Sequence, residues 1–164
     1  MRVSTKIAGE KAPPVSLKTA SGEVFSVADC LRSQPLAVLA FFKISCPVCQ
    51  TTFPFLERMH SRFPGIPIWG ISQDDASDTT AFANEHKITF PLLLDETLEW
   101  TVKYGLVSVP TIFTVQKDGT IKQAIFGFVK ADLEELNGIL AEAAGVQTEP
   151  LFTDKDDVPT MRPG

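Results

Sequence analysis

Apolar runs separated by polar and turn-forming residues indicate strands along much of the chain. One run is continuously apolar over residues 36–42, as expected of a strand covered on both faces of a sheet. Asp118-Gly119 separates two later runs and is a strong signal for a β-hairpin, and Ser21-Gly22 separates two short early ones. We predict strands at residues 15–17, 23–25, 36–42, 66–71, 90–94, 111–115 and 120–126.

Apolar residues that recur at steps of three and four indicate helices between these strands. The helix that follows residues 36–42 contains Pro54, which is expected to kink it, and Pro64-Gly65 closes it. Ser77 or Asp78 is the predicted cap of the next helix. We predict helices at residues 46–63, from residue 77 or 78 to 86, in a short segment that ends at Tyr104-Gly105, and through residues 133–143 with Gly145 as the stop.

The order of these elements predicts an α/β protein with a mixed central sheet, helices on both faces and an N-terminal hairpin extension. A length of 164 residues favours one domain, which we place at residues 1–146. Residues 1–12 show no periodicity and are expected to form a loose lead-in. From Gln147 the chain is polar, aperiodic and contains prolines, which predicts a flexible C-terminal tail over residues 147–164.

Composition and charge exclude several classes of function. The net charge is −5 and no cluster of lysine and arginine stands out, so a nucleic-acid partner is not expected. No apolar run approaches the roughly 18 residues that a membrane span needs. The first six residues are polar and lack the apolar core of a secretory signal. We therefore expect a cytoplasmic protein, or a periplasmic one if the sequence is a trimmed form.

The chemistry is concentrated in Cys46-Pro47-Val48-Cys49, where the apolar run ends and a helix begins. Two cysteines separated by two residues can close a small disulfide and reopen it. The unpaired N–H groups and the positive end of the helix dipole favour the thiolate form of the first cysteine. The pattern therefore predicts thiol–disulfide exchange. The third cysteine, Cys30, is expected to be a small buried side chain.

With these residues the chain resembles the thioredoxin superfamily, and within it the redoxin branch. That branch groups thioredoxin-like thiol–disulfide reductases with the alkyl hydroperoxide reductase/thiol-specific antioxidant proteins. The resemblance rests on the Cys-x-x-Cys after an apolar strand, on Pro54 five residues beyond Cys49, and on Val109-Pro110-Thr111 before a strand. It covers most of residues 12–144 and implies a thioredoxin fold.

The resemblance also implies a role for each site residue. Cys46 is the exposed nucleophile that attacks a partner disulfide, and Cys49 resolves the mixed disulfide by attacking Cys46. Pro110 is expected to be cis, which leaves the Val109 backbone to pair with an extended segment of the partner. Lys43, three residues before Cys46, either tunes the reaction by favouring the thiolate or extends its ammonium into solvent.

Three departures from thioredoxin itself indicate a specialised relative. Ser45 stands where thioredoxin usually has a tryptophan, and Pro47-Val48 replaces the usual Gly-Pro, closer to the cytochrome-maturation reductases. Ala40 occupies the position of a buried aspartate that accepts the proton of the inner thiol. The acceptor for Cys49 is therefore open, and candidates by topology alone are Gln73, Asp74 and Asp75.

Two other functions are considered beside the dithiol enzyme. A peroxidase of the peroxiredoxin type has a threonine or serine three residues before its cysteine, where this chain has Lys43 before Cys46. A metal-binding or redox-inactive adaptor module is the other alternative, because Cys46 and Cys49 have the spacing of half a zinc site. Its remaining ligands would come from Cys30, His60 and His86.

The sequence thus predicts a thioredoxin-fold thiol–disulfide oxidoreductase with Cys46 and Cys49 as catalytic residues and Val109 and Pro110 as substrate-binding residues. We expect no cofactor and no metal, because electrons pass between protein dithiols and disulfides. The expected partners are protein disulfides or dithiols and an upstream electron donor. A monomer with roles in antioxidant defence and cellular redox homeostasis is expected.

Overall fold

The computed structural model describes residues 4–164, which form nine strands and five helices. The strands are β1 (Ser16–Lys18), β2 (Val24–Ser26), β3 (Leu36–Phe42), β4 (Ile68–Ser72), β5 (Leu92–Leu94), β6 (Thr111–Gln116), β7 (Ile121–Phe126), β8 (Phe128–Val129) and β9 (Met161–Arg162). The helices are α1 (Val27–Ser33), α2 (Pro47–Arg62), α3 (Ala76–His86), α4 (Glu99–Lys103) and α5 (Lys130–Ala144). Within this range no helix is long and apolar enough to cross a membrane.

The central sheet has the strand order β5-β4-β3-β6-β7. Strand β4 is parallel to both β3 and β5, whereas β6 is antiparallel to both β3 and β7. The prediction of a mixed sheet is therefore confirmed. β1 and β2 form the predicted N-terminal hairpin, and Gly119 adopts a left-handed φ of 88° in the turn between β6 and β7.

Strand β3 lies at the centre of the sheet and all seven of its residues are buried. Its alternate side chains enter two separate cores, because successive residues of a strand point to opposite faces. Val38, Ala40 and Phe42 pack in the core that contains α2 and α5. Leu39 and Phe41 pack in the other, with residues of α1 and α4. Helices therefore cover both faces, and β3 leaves the interior only at its ends.

The lead-in and the segment before β3 are more ordered than the sequence indicated. Residues 1–3 of the predicted lead-in lie outside the described residues. After them, Gly9 N–H donates to Ile121 O at 2.8 Å and Ala12 N–H to Gly119 O at 2.9 Å, so this segment follows the β6–β7 hairpin. Helix α1 is an element that the apolar pattern did not reveal. Its cap is Ser26, whose hydroxyl accepts the Asp29 N–H at 3.3 Å.

The segment predicted as a flexible tail packs against α2 and α5 over residues 150–158. Leu151 is fully buried and Phe152 nearly so. The carboxylate of Glu134 accepts the N–H groups of both residues, at 3.0 and 2.9 Å. Arg58 holds Asp156 through two hydrogen bonds of 2.8 and 3.0 Å. These contacts join residues that are far apart in sequence, so composition does not reveal them.

We expect the Arg58–Asp156 pair to fix this segment in a pH-dependent way. The hydrogen bond from Arg58 lowers the pKa of Asp156, so the contribution to stability is complete above the ordinary aspartate pKa of about 4 and is lost as the pH falls below it. Asp156→Asn should therefore lower the free energy of unfolding by about 1 kcal/mol at neutral pH. The difference from the parent should shrink in denaturation experiments at acidic pH.

Glu99→Gln is the matched control for this variant, because it removes an exposed ion pair. The side chain of Glu99 is 54% exposed, and that of its partner Lys103 is 48% exposed. It should change stability less than Asp156→Asn. Equal effects of the two variants, or an effect of Asp156→Asn that does not depend on pH, would contradict the proposed anchor.

Candidate active site

The cysteine pair lies where the polypeptide leaves the core at the end of β3. Four residues after Phe42, Cys46 forms the N-terminal cap of α2, and its sulfur accepts the Cys49 N–H at 3.1 Å. Pro47 follows at the start of the helix, where a missing N–H costs no helical hydrogen bond. The Cys46 sulfur is therefore placed at the positive end of the helix dipole, which favours negative charge there.

The two cysteines differ sharply in their surroundings. Cys46 is half-buried, whereas Cys49 is fully buried in the core beneath α2. Burial raises the pKa of the Cys49 thiol well above its usual range, and the neighbouring Cys46 raises it further. Both are free thiols in this structure. The arrangement gives one accessible sulfur beside hydrogen-bond donors and one protected thiol a turn further into the helix.

The loop before β6 lies directly beside the cysteines. The Val109–Pro110 peptide bond is cis, and the thiol of Cys46 donates to the Val109 carbonyl at 3.5 Å. Pro110 is buried, and its carbonyl accepts the Gly127 N–H at 2.8 Å, which joins this loop to the turn before β8. The structure thus brings together four of the residues singled out from the sequence: Cys46, Cys49, Val109 and Pro110.

The loop from Lys43 to Ser45 is held by residues whose role the sequence did not reveal. The Asp74 carboxylate accepts the Ile44 N–H at 2.8 Å, and Gln50 Nε2 donates to the Ile44 carbonyl at 2.9 Å. The Lys43 carbonyl accepts the Cys46 N–H at 3.2 Å, while the Lys43 residue itself is exposed. A role for the Lys43 ammonium in tuning Cys46 remains a prediction.

The polar residues after β4 make contacts of their own. Asp74 binds the Ile44 N–H, Asp75 caps α3 by accepting the Asp78 N–H at 2.8 Å, and Gln73 Nε2 donates to the Thr101 hydroxyl at 3.3 Å. Ala40 is fully buried in the same core as Cys49. None of these contacts of Gln73, Asp74 and Asp75 involves the Cys49 thiol.

The residues considered for a metal site are not gathered around the cysteine pair. Over the described part of the chain, no group of three or more histidine, cysteine, aspartate or glutamate side chains is placed to hold a metal ion. Cys30 and His60 instead line a separate cavity of about 320 Å³ beside Trp69. His86 stacks on Phe82, with 4.5 Å between the ring centroids.

The chain is similar in sequence to a known protein family and to thiol–disulfide oxidoreductases of bacteria. A sequence model of the AhpC/TSA family matches residues 8–124. The thioredoxin-like protein YneN of Bacillus subtilis strain 168 is 28% identical over 133 residues, which cover 77% of this chain and 76% of YneN. The thiol-disulfide oxidoreductase ResA of Bacillus thuringiensis strain Al Hakam is 24% identical over 135 residues, which cover 80% of this chain and 76% of ResA.

A solved structure is similar over most of the chain. A protein of Chlorobium tepidum assigned as a thiol:disulfide interchange protein DsbE superposes with a TM-score of 0.74 at 25% identity. The alignment covers 87% of this chain and 100% of the other. The range matched by the family model includes Cys46, Cys49 and Pro110.

We expect the difference between the two sulfurs to appear in alkylation. Iodoacetamide should modify Cys46 at least about tenfold faster than Cys49 near pH 7, because only a thiolate reacts and burial suppresses it at Cys49. Cys30, whose thiol pKa is also raised by burial, is the internal control and should react more slowly than Cys46. Peptide mapping by mass spectrometry measures all three, and equal rates for Cys46 and Cys49 would contradict the assignment.

Proposed function

The chain belongs to the AhpC/TSA family, and we propose that it is a thiol–disulfide oxidoreductase in which Cys46 and Cys49 carry the reaction. The predicted resemblance to the thioredoxin-like redoxins and the predicted thioredoxin fold are confirmed by the family match and by the similarity to thiol–disulfide oxidoreductases. The observation that carries the assignment of residues is the position of the Cys46 sulfur. It lies at the start of α2, accepts the Cys49 N–H and is next to the Val109 carbonyl.

The reaction proceeds in two exchanges that conserve sulfur and electrons. The Cys46 thiolate attacks one sulfur of a partner disulfide, a bond forms between them, and the second partner sulfur leaves as a thiolate that takes up a proton. Cys49 then loses its proton and attacks the Cys46 sulfur, which releases the first partner sulfur as a thiolate. The partner gains two electrons, and Cys46 and Cys49 become a disulfide. The reverse sequence oxidises a partner dithiol.

Docking of the partner is assigned to the main chain of Val109. An extended segment beside the partner cysteine can pair with this residue as an added strand, and that pairing would align the partner sulfur with Cys46. Among residues 4–164 no acceptor is found for the Val109 N–H, which leaves a donor for such pairing. Pro110 has no N–H and therefore offers no competing donor.

Several finer features of the function belong to the same proposal. The partners are protein disulfides or dithiols, and a second dithiol protein supplies or removes electrons. A monomer that acts in the cytoplasm, in antioxidant defence and cellular redox homeostasis, is the working hypothesis. Lys43 is the proposed tuning residue: three residues before Cys46, its ammonium would favour the thiolate if it lay near the sulfur.

Replacement of each cysteine should separate the two exchanges. Cys46→Ser should abolish reduction of a protein disulfide, because it removes the attacking sulfur. Cys49→Ser should retain the attack and accumulate a mixed disulfide, since no second sulfur releases the partner. Non-reducing gels and intact mass after incubation with oxidised insulin measure both outcomes.

Cys30→Ser is the matched control, since it removes the third thiol in the described structure without touching the pair. It should react as the parent does. Full activity of Cys46→Ser would overturn the assignment, and so would the absence of a reversible two-electron transition of the Cys46–Cys49 pair in a series of redox buffers.

The second exchange should be limited by the proton on Cys49. Because burial raises the pKa of its thiol, the fraction of thiolate grows with pH, and the rate of partner release should rise about tenfold per pH unit between pH 7 and 9. Rapid-quench analysis of the decay of the mixed disulfide measures this rate.

Ala40→Asp tests whether an added carboxylate speeds the loss of the proton from Cys49. It places a carboxylate in the core shared with Cys49 and should speed release at pH 7 and flatten the pH dependence, although burial of the acid will lower stability. Ala40→Asn is the control of similar volume without a basic group. A release rate of the parent that does not change between pH 7 and 9 would show that another group removes the proton.

A further inference from the structure

Residues 160–164, which we name the strap, run alongside the turn that is bonded to the Pro110 loop. Strand β9, in the strap, pairs antiparallel with β8 in the register Phe128 to Arg162 and Val129 to Met161. The Lys130 N–H donates to the Thr160 carbonyl at 3.0 Å. The strap therefore extends from the start of α5 past Gly127, whose N–H holds the Pro110 carbonyl.

The strap approaches the docking residue so closely that only glycine fits there. A Cβ atom added to Gly164 would collide with the Val109 oxygen and lie 2.8 Å from its carbonyl carbon. A Cβ atom on Gly127, which has a φ of 79°, would lie 2.5 Å from the Arg162 oxygen. The Val109 carbonyl is thus bordered by the Cys46 thiol, which donates to it, and by the backbone of Gly164.

The strap and its root are held with very different strength. The root is the segment of residues 150–158, whose Leu151 and Phe152 are buried and whose Asp156 is bound by Arg58. Residues 159–164, in contrast, are all exposed, and Met161 is 56% exposed. A two-residue strand pair that is exposed to water opens with little loss of buried surface. Pro159 lies between the buried root and the exposed strap.

We propose that the strap covers the main chain of Val109, where a partner docks, and that it moves aside when an extended partner segment pairs with Val109. This inference rests on the proposed function, in which the Val109 main chain is the docking residue. The partner backbone and Gly164 cannot both lie against the Val109 carbonyl, because the space between Gly164 and this carbonyl is too small even for a methyl group. The strap therefore lowers the rate for extended protein segments and leaves small disulfides, which need no strand pairing, almost unaffected.

The test compares two oxidants in a single turnover of the reduced protein. A variant that lacks residues 160–164 keeps the anchored root, and we expect it to react with oxidised insulin about threefold faster or more, since the docking-competent fraction rises. Its rate with cystamine, a small disulfide, should change by less than about twofold. Thiol trapping and mass spectrometry measure both rates, and thermal denaturation confirms that the variant is folded.

Gly164→Ala tests the strap with the chain at full length. Its methyl group collides with the Val109 carbonyl, so it should displace the strap and reproduce the acceleration with insulin. Gly65→Ala is the matched control, because a Cβ atom there meets nothing within 4 Å. Hydrogen exchange of the Lys130 amide, whose acceptor is Thr160, reports displacement directly and should be faster in Gly164→Ala and in the Cys49→Ser mixed disulfide with insulin.

The outcomes separate this inference from the proposed function. If the parent reacts with both disulfides but the truncated and Gly164→Ala proteins react with insulin at the parent rate or more slowly, the strap is not an obstacle and the inference is overturned. If the parent reacts with neither disulfide, the proposed function itself fails. If the truncated variant does not fold, the rate of Gly164→Ala and its Lys130 exchange decide the matter.

Discussion

The burial of β3 on both faces is the constraint on which the rest of the structure depends. All seven residues of this strand lie inside, so its main chain must find hydrogen bonds in β4 and β6 and its side chains must be apolar. Polar and reactive side chains can therefore lie only after Phe42, at the edge of the sheet where the strand leaves the core. Cys46 lies there because α2 starts at that edge, and the first turn of the helix supplies the Cys49 N–H that its sulfur accepts.

The same core creates the difference between the two thiols. One turn of helix carries the chain from the half-exposed Cys46 to the buried Cys49, so two residues of the same type acquire opposite properties from position alone. The low polarity that protects Cys49 also makes its deprotonation costly. In thioredoxin a buried aspartate accepts the proton of the inner thiol, and here the corresponding side chain is the methyl group of Ala40. Protection of the inner thiol and the slow partner release that we predict at neutral pH are therefore two consequences of one apolar environment.

The sequence predicts those features that depend on local patterns. The apolar run of β3, the Asp118-Gly119 turn and the Gly145 stop of α5 each follow from the preferences of a few neighbouring residues, and the structure has all three. Proximity of Cys46 to Val109 follows from the family resemblance, because no local pattern relates residues 63 positions apart. Helix α1 was missed because its seven residues offer too few turns for a periodicity to be seen.

The segment after α5 shows why composition alone fails. Its polar residues and prolines are typical of disorder, yet Glu134 and Arg58 provide charged partners for main-chain and side-chain groups that would otherwise remain in water. Only the described structure reveals these partners, since they belong to other elements. Once residues 150–158 are anchored, the residues that follow are held at high effective concentration next to Val109, so even a weak strand pair competes with a partner. The anchor thus determines how strongly a short exposed segment can affect the docking of a partner at Val109.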